Sequence, residues 1–419
     1  MNHKLSFSIL IAMATMYALP AAAAEATQAS TLAEAITDGK FSGNLKFRYE
    51  NVNQDGLSET GEAWTLRTLI GYETKPLHGF SVNAEVYGLS PLNDDYNDLK
   101  KGDPIASRKA YPVIADPEDY DFHQIYAQFK NKEHQVRLGR QSFVLDNWRF
   151  VGDIRFRQNW QVMNGLSYIN TSLPKTTISV GHFEQVKQIT TKIQDANIDI
   201  IHAKYAITPT TSITGYGYLI DWEGRVLAET STKTFGTRLT GAEKISGDWK
   251  ALFTAEYAKQ DDYKDGNSNI DNHYYWAGAG LDYKGWFLTL NQEKLSGNSN
   301  GRAFQTPLGT NHLFTGWTDL FLTTPNQGIE DTILIAGGKF MGATIKAEYH
   351  LIKSDRDFNK AGGGTGDSFG KEFDLGVYYN FNKQVSGSVE YANFKEDDIA
   401  AVGRKRDTEK FWITAIYAF

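Results

Sequence analysis

The sequence predicts an all-β fold: a transmembrane antiparallel up-and-down β-barrel of about 18 strands, within a range of about 16 to 20. Three observations predict it. From Phe41 to Phe419 the chain repeats runs in which apolar and polar side chains alternate. It begins with an export signal and has no later apolar stretch long enough for a spanning helix, and it ends on an amphipathic segment. A chain without spanning helices crosses a bilayer only as a closed barrel, because every backbone polar group there must be hydrogen-bonded.

The N-terminus has the three regions of a secretory signal peptide. Lys4 precedes an apolar run, Leu5 to Leu19, and three alanines precede Glu25. The run is shorter than the roughly 20 residues that a retained transmembrane helix needs. We therefore expect residues 1–24 to be a signal peptide, residues 25–40 a short periplasmic segment with a turn of helix, and residues 41–419 the barrel.

Composition agrees with a barrel that has a polar interior. Hydrophobic residues make up 41% of the chain and mean hydropathy is −0.44, yet 13% of residues are aromatic. Low hydropathy with many aromatic residues is typical of a polar lumen flanked by aromatic girdles. The chain has no cysteine, which excludes disulfides and thiolate metal sites. A net charge of −7 argues against a nucleic-acid partner.

The first three predicted strands show the alternation best. Leu45, Phe47 and Tyr49 would face lipid, while Lys46, Arg48 and Glu50 would face the lumen. The second strand would turn Trp64 and Ile70 outward with Thr65 and Arg67 inward, and the third Phe80 and Val82 outward with Ser81 and Glu85 inward. Further runs give 18 strands in all. These runs are Gln124 to Phe129, Gln135 to Gln141, Gly165 to Asn170, Thr177 to Phe183, Ile198 to Tyr205, Ser212 to Asp221, Thr234 to Thr240, Trp249 to Tyr257, Tyr274 to Tyr283, Trp286 to Glu293, Thr332 to Lys339, Ala343 to Leu351, Phe373 to Tyr379, Val385 to Phe394 and the terminal segment.

The links between these runs fall into two classes. Short links would be periplasmic turns, and they include Thr74 to Gly79, Lys284-Gly285 and Asn382-Lys383. Three long polar stretches would be extracellular or folded into the lumen, and they are Ser90 to Asp119, Ser296 to Ile329 and Ser354 to Gly370.

The last strand, Phe411 to Phe419, has one unbroken apolar face. An aromatic terminal strand resembles the signal that the outer-membrane assembly machinery reads. We expect that machinery, outer-membrane lipid and lipopolysaccharide as partners, with the bacterial outer membrane as the location. The alternative is an ordinary sandwich strand that happens to end the chain.

The stretch from Gln135 to Asn159 is the candidate functional site because it concentrates charge. Arginine keeps its charge and presents a planar fork that suits carboxylates, and a ring of such groups in a pore selects anions. The equally weighted alternative is that these arginines pair with acidic residues of neighbouring strands and brace the interior. Likewise, Tyr126 either stacks on sugar rings or belongs to the aromatic girdle. The candidate residues are Arg137, Arg140, Arg149, Arg155, Arg157, Asp146, Asp153, Asn147 and Tyr126.

The blocks Gln135 to Gly165 and Ala303 to Asp331 resemble the alginate-export family of outer-membrane porins. The resemblance implies an 18-stranded monomeric barrel whose electropositive, arginine-rich constriction passes a polyuronate chain. It implies that the five arginines contribute to this constriction, and it leaves a smaller anionic or sugar substrate open.

Together these patterns predict a passive channel for anionic sugars or polyuronate-like oligosaccharides. A barrel enzyme that hydrolyses lipid or peptide is the first alternative, but no nucleophile motif is present, so we expect no enzyme. A structural or adhesion barrel closed by its loops is the second. We expect no cofactor and no metal: the nine histidines have no close ligand spacing, and Asp265 to Asp271 lacks the glycine of a calcium loop.

Overall fold

The strands of the protein form a single closed sheet. The computed structural model describes residues 28–99, 109–401 and 405–419. Within this part of the chain 18 antiparallel strands each pair with their sequence neighbours, and β1 pairs with β18. The predicted up-and-down barrel is therefore confirmed, whereas the signal peptide lies outside the described residues.

A helix, α1, precedes the barrel at Leu32–Thr37. The strands are β1 (Lys40–Gln54), β2 (Gly61–Glu73), β3 (Phe80–Pro91), β4 (Asp119–Lys130), β5 (His134–Gln141), β6 (Val162–Asn170), β7 (Thr176–Lys187), β8 (Ile193–Ala206), β9 (Thr211–Trp222), β10 (Thr232–Ser246), β11 (Trp249–Asp262), β12 (Asp271–Tyr283), β13 (Trp286–Ser296), β14 (Gly328–Phe340), β15 (Ala343–Asn359), β16 (Thr365–Asn380), β17 (Val385–Glu396) and β18 (Thr408–Ala418). Two short 3-10 helices lie at Ala228–Thr230 and Asn311–Leu313.

Side chains alternate between the outside of the barrel and its lumen as the sequence predicted. On β1, Leu45 is 39% exposed whereas its neighbour Lys46 is fully buried. On β13, Leu288 and Leu290 are exposed on the outside while Glu293 is buried inside. Most strands turn an apolar face outward, which gives the cylinder a lipid-compatible belt, whereas β8 exposes Asp195, Asn197 and Asp199 on its outer face.

The two ends of the barrel differ. Short turns such as 74–79 and 284–285 link strands at the end that also holds Lys40 and Phe419, and the longer links lie at the other end. Backbone hydrogen bonds between Gly43 and Phe419, of 2.9 and 3.0 Å, close the barrel. The predicted turn of helix is confirmed as α1, where the Thr31 side chain accepts a hydrogen bond from the backbone N–H of Glu34. No described helix is long and apolar enough to cross a membrane.

One predicted loop is wrong. The stretch from Ser354 to Gly370 is mostly strand, since β15 continues to Asn359 and β16 begins at Thr365. Register irregularities near Lys353 and Phe358 mark where this hairpin continues. Its polar composition concealed it: a strand that extends beyond the bilayer needs no apolar outer face, so the alternation on which the prediction relied disappears.

Candidate functional site

Two of the longer links fold into the lumen and pack against each other. We call residues 142–161, between β5 and β6, loop L3, and residues 297–327, between β13 and β14, loop L7. They meet at a parallel bridge between Val151 and Leu308. The Gly152 N–H donates to the Leu308 carbonyl at 2.8 Å, and the Thr310 N–H donates to the Trp148 carbonyl at 2.9 Å. L3 and L7 therefore form one unit inside the barrel, which we call the plug.

Cations on β1 and β2 hold the plug to one side of the wall. The Lys46 ammonium donates to the carbonyl of Phe156 at 2.9 Å, and the Arg48 guanidinium donates to the same carbonyl. On β2, Arg67 donates to the carbonyl of Gln158 at 3.3 Å. Hydrogen bonds from charged donors are stronger than neutral ones, so these side chains fix the L3 backbone in place.

An ion cluster joins L3, L7 and the wall at the centre of the lumen. Arg157 of L3 donates to Glu50 of β1 at 2.9 Å and to Asp319 of L7 at 2.8 Å. Asp319 also accepts from Lys410 of β18 at 2.9 Å and lies 2.8 Å from Nδ1 of His312. Burial raises the pKa of Asp319, but Lys410, His312 and Arg157 outweigh it and hold that pKa well below its ordinary value. Asp319 is therefore the carboxylate on which three cationic or titratable side chains converge.

The two remaining arginines of L3 are also paired. Arg149 donates to Glu293 at 2.6 Å and to Asn311 of L7 at 2.8 Å. Arg155 forms a forked ion pair with Asp153, whose other contact is the Ser142 hydroxyl at 2.7 Å. Arg149 thus pairs with a carboxylate of a strand, as the bracing alternative describes, whereas Arg155 pairs within L3 itself.

The arginines of β5 lie in the barrel wall. Arg140 donates to Asp121 at 2.8 Å and to Asn164 at 3.0 Å. Arg137 donates to Gln128 at 2.8 Å and lies over the ring of Tyr126 at 4.6 Å. Among the described residues no carboxylate pairs with Arg137. Arg137 is therefore the one candidate arginine that forms no ion pair with a described carboxylate.

The other two candidate residues shape the tip of L3. Asp146 lies 2.8 Å from Nε2 of His202 on β8, and the Asn147 side chain accepts a hydrogen bond from the backbone N–H of Arg149 at 3.4 Å. Burial raises the pKa of Asp146, but His202 outweighs it and lowers the pKa below its ordinary value. Asp146 thus attaches L3 to the wall opposite β1.

The plug also concentrates backbone strain. In L3, Asp146, Trp148 and Ile154 have φ angles of 49°, 69° and 53°, and Asp319 of L7 has a φ of 63°. Positive φ is costly for residues other than glycine, and it is a true outlier for a β-branched residue such as Ile154. Such strain persists only where many contacts over-determine the conformation, and it is common at functional sites.

A cavity of about 490 Å³ lies above the plug at the loop end of the barrel. We call it the vestibule. Arg157, His312 and Asp319 form its floor, and Arg302 and Gln305 of L7 lie along its side. The volume falls within the range of small-molecule sites, and the lining offers charged and amide groups to a solute.

Several residues of this site were not among the candidates. The alternation placed Lys46, Arg48, Glu50 and Arg67 in the lumen, but nothing local tied them to L3. Asp319 lies within the second block of family resemblance, which could have identified it. The partner of Arg157 in L7 is 162 residues away along the chain, a separation that a single sequence does not connect.

Comparisons with known proteins support the architecture. No protein-family model and no curated protein matches the chain. Among solved structures, it is similar to OccK5 (OpdH) of Pseudomonas aeruginosa, with a TM-score of 0.68, 13% identity and coverage of 91% of this chain and 98% of that one. It is also similar to OpdK of the same organism, crystallised with vanillate, with a TM-score of 0.69, 14% identity and coverage of 91% of this chain and 98% of that one. For OccAB2 of Acinetobacter baumannii the TM-score is 0.69 and the identity 14%, and the match covers 91% of this chain and 98% of that one. The closed 18-stranded barrel with its apolar belt is thus the architecture of a bacterial outer-membrane protein.

Proposed function

We propose that the protein is a passive outer-membrane channel for small anionic solutes, with sugar acids as the leading class. The observation that carries the proposal is the plug: two loops narrow a closed barrel and leave a vestibule whose floor holds Arg157 together with His312 and Asp319. A constriction lined by arginine favours anions over cations. The structural likeness to OpdK, an outer membrane protein crystallised with vanillate, supports the same class of function.

Positive and negative side chains are concentrated on different parts of the lumen wall. This separation of charge supports a substrate with a carboxylate at one edge. Buried cations lie on β1, β2 and β18, together with the carboxylate Glu50 on β1; two further arginines lie on β5, and other buried carboxylates lie on β13 to β17. The field of these charges would orient a sugar acid in the lumen, with its carboxylate toward the cationic side. The cations are Lys46, Arg48, Arg67, Arg137, Arg140 and Lys410. The carboxylates are Glu293, Asp331, Glu348, Glu372, Asp374 and Glu390.

The size of the vestibule favours a monomeric or short substrate over a long chain. The resemblance to alginate-export porins makes a polyuronate the second substrate candidate. A liposome-swelling assay that compares glucuronate, vanillate, glucose and an oligouronate would rank these substrate candidates. The proposal expects glucuronate to enter faster than glucose; equal rates for both would contradict an anionic specificity.

Arg137 provides the sharpest test of anion preference because no described carboxylate neutralises it. We expect Arg137→Gln to lower the chloride-to-potassium permeability ratio, measured from the reversal potential across a planar bilayer under a salt gradient. Arg225→Gln, in the exposed loop 223–231, is the matched control and should leave the ratio unchanged. A wild-type channel that prefers cations would overturn the proposal.

A closed structural or adhesion barrel is the second candidate, and the many bonds between plug and wall favour it. Absence of any conductance from correctly folded protein would select it. The proposal includes no catalysis, so hydrolysis of lipid or peptide by purified protein would contradict it.

The partners follow from the surface of the barrel. The apolar belt would contact outer-membrane lipid, and the loop end would contact lipopolysaccharide. We assign the terminal strand, which closes the barrel at Phe419, to recognition by the assembly machinery. We also propose that the barrel acts as a monomer, as the resemblance to alginate-export porins implies.

A further inference from the structure

Three potential metal ligands converge on the lumen side of β15 and β16, away from the ion cluster at the floor of the vestibule. Glu348, His350 and Asp374 each offer one ligand atom, and these atoms lie within 4.8 Å of one another. All three side chains are buried. Strand register creates the group, since Glu348 lies directly opposite Asp374 and His350 follows two residues later on the same face.

Two of the three separations between these ligand atoms match the edges of a coordination polyhedron, and the third, between the two carboxylates, is within 4.8 Å. Nε2 of His350 lies 3.4 Å from Oε2 of Glu348 and 3.5 Å from Oδ2 of Asp374. These separations are long for hydrogen bonds. For ligands about 2.1 Å from a metal ion, as for zinc with nitrogen and oxygen donors, a tetrahedral edge is about 3.4 Å.

The other ring nitrogen of His350 is held as in a metal-binding histidine. Its Nδ1 lies 2.6 Å from Oδ2 of Asp331 on β14. Metal-ligating histidines almost always donate this second N–H to a carboxylate or carbonyl, which fixes the ring and directs the free nitrogen toward the metal. Asp331 would be the carboxylate that accepts this N–H from His350.

Charge balance supplies an independent observation. Neither carboxylate oxygen of Asp374 accepts a hydrogen bond of good geometry from the described residues, although the side chain is fully buried; its neighbours are Nε2 of His350, 3.5 Å from Oδ2, and the Glu372 carboxyl group. Two carboxylates directly opposite each other on a sheet repel, and a buried charge is costly unless it is paired or binds a metal. Around His350 lie four carboxylates, and the nearby ammonium is that of Lys346, which pairs with Glu348. The carboxylates are Asp331, Glu348, Glu372 and Asp374.

We propose that His350, Glu348 and Asp374 bind one divalent first-row transition-metal cation. A mixed nitrogen and oxygen ligand set suits such ions better than calcium or magnesium, which prefer oxygen alone. The site adjoins the plug, because the Trp317 indole of L7 donates to Oε2 of Glu348 at 3.1 Å and the Thr318 N–H donates to Glu372 at 2.7 Å. A bound cation would therefore also strengthen the wall to which L7 is attached.

Zinc binding to the full-length, folded, chelator-treated protein tests the proposal. We expect one Zn²⁺ per chain by isothermal titration calorimetry, and at least 10-fold weaker binding in Asp374→Asn and in His350→Gln. Cobalt added instead of zinc should give visible absorption bands that His350→Gln abolishes. Circular dichroism of each variant would show that the barrel has folded.

His182→Gln is the matched control because Nδ1 of His182 lies 2.8 Å from a single carboxylate, Asp199, and both side chains are about half exposed. It should bind zinc as the wild type does. Three results would overturn the proposal: no zinc bound by folded wild type, equal affinity in Asp374→Asn, or equal competition by calcium. The measurement requires no conductance, so it stands independently of the channel function.

Discussion

At the scale of single residues, Asp319 links L7 both to L3 and to the barrel wall. It adopts a positive φ of 63° and binds Arg157, Lys410 and His312 from three different parts of the chain. Removing one member of a buried ion pair leaves its partners uncompensated, which typically costs about 3 to 5 kcal/mol. The strained backbone at this position therefore depends on the charge of its side chain.

We expect Asp319→Asn to loosen L7 and to raise the anion preference of the channel. Arg157 and Lys410 would each lose a carboxylate partner, so positive charge at the vestibule floor would increase. Hydrogen–deuterium exchange should become faster in residues 297–327, and the chloride-to-potassium permeability ratio should rise. Asp248→Asn, in an exposed turn where Asp248 lies 3.5 Å from Lys284, is the control and should change neither.

Acid should reproduce this effect in the wild type. The pKa of Asp319 is depressed in the folded protein, so its stabilising contribution is complete above the unfolded value of about 3.9 and is lost as the pH falls through the folded value. Protection factors of the L7 amides, which correct the exchange rate for its intrinsic pH dependence, should therefore stay constant from neutral pH down to about 4 and fall below it. An unchanged L7 in Asp319→Asn would show that other contacts hold this loop.

At the scale of elements, the contact between L3 and L7 converts two loops into one plug. Gly152 lies where the two loops meet, and a Cβ atom there would lie 2.3 Å from the Thr310 hydroxyl and 2.8 Å from Cβ of Trp148. Backbone hydrogen bonds on both sides of Gly152 depend on this close approach. A side chain at this position would separate the loops.

We expect Gly152→Val to widen the channel because it would push L7 away from L3. Single-channel conductance should increase, and trypsin should cut L3 more readily, while the barrel itself remains folded. Gly362→Val is the control, since nothing lies within 4 Å of a Cβ atom at that loop tip. Equal conductance in both variants would mean that the plug does not limit flow.

At the scale of the whole molecule, the apolar belt determines where the barrel resides. Leu290, in the middle of β13, is 57% exposed on the outside, whereas Thr289 beside it faces the lumen. An arginine on the lipid face near the bilayer midplane costs about 2 to 4 kcal/mol, and a lumen position tolerates charge far better.

Leu290→Arg should therefore destabilise the barrel by about 2 to 4 kcal/mol in urea titrations of protein folded in lipid vesicles. Thr289→Arg should cost clearly less, because its charge enters a polar lumen. If the two variants were equally stable, the outer face of β13 would not contact hydrocarbon.

The sequence predicted the barrel more fully than the site. It placed Lys46, Arg48 and Glu50 in the lumen and counted the strands correctly, but it identified neither L3 as an inner loop nor the strand content of 354–370. Likewise, it predicted no metal ligands, because the spacing of histidines along the chain does not reveal that Glu348 lies opposite Asp374.

The sequence by itself determined where most of the strands lie and which face of most strands meets lipid. Those properties are local, since successive side chains of a strand point to opposite sides. Only the tertiary structure decided which charges meet, as in the pairing of Arg157 with Asp319 and of Arg149 with Glu293. The physical reason is closure: once the sheet forms a cylinder, side chains more than a hundred residues apart share one narrow lumen, and their pairing depends on how the two inner loops pack there.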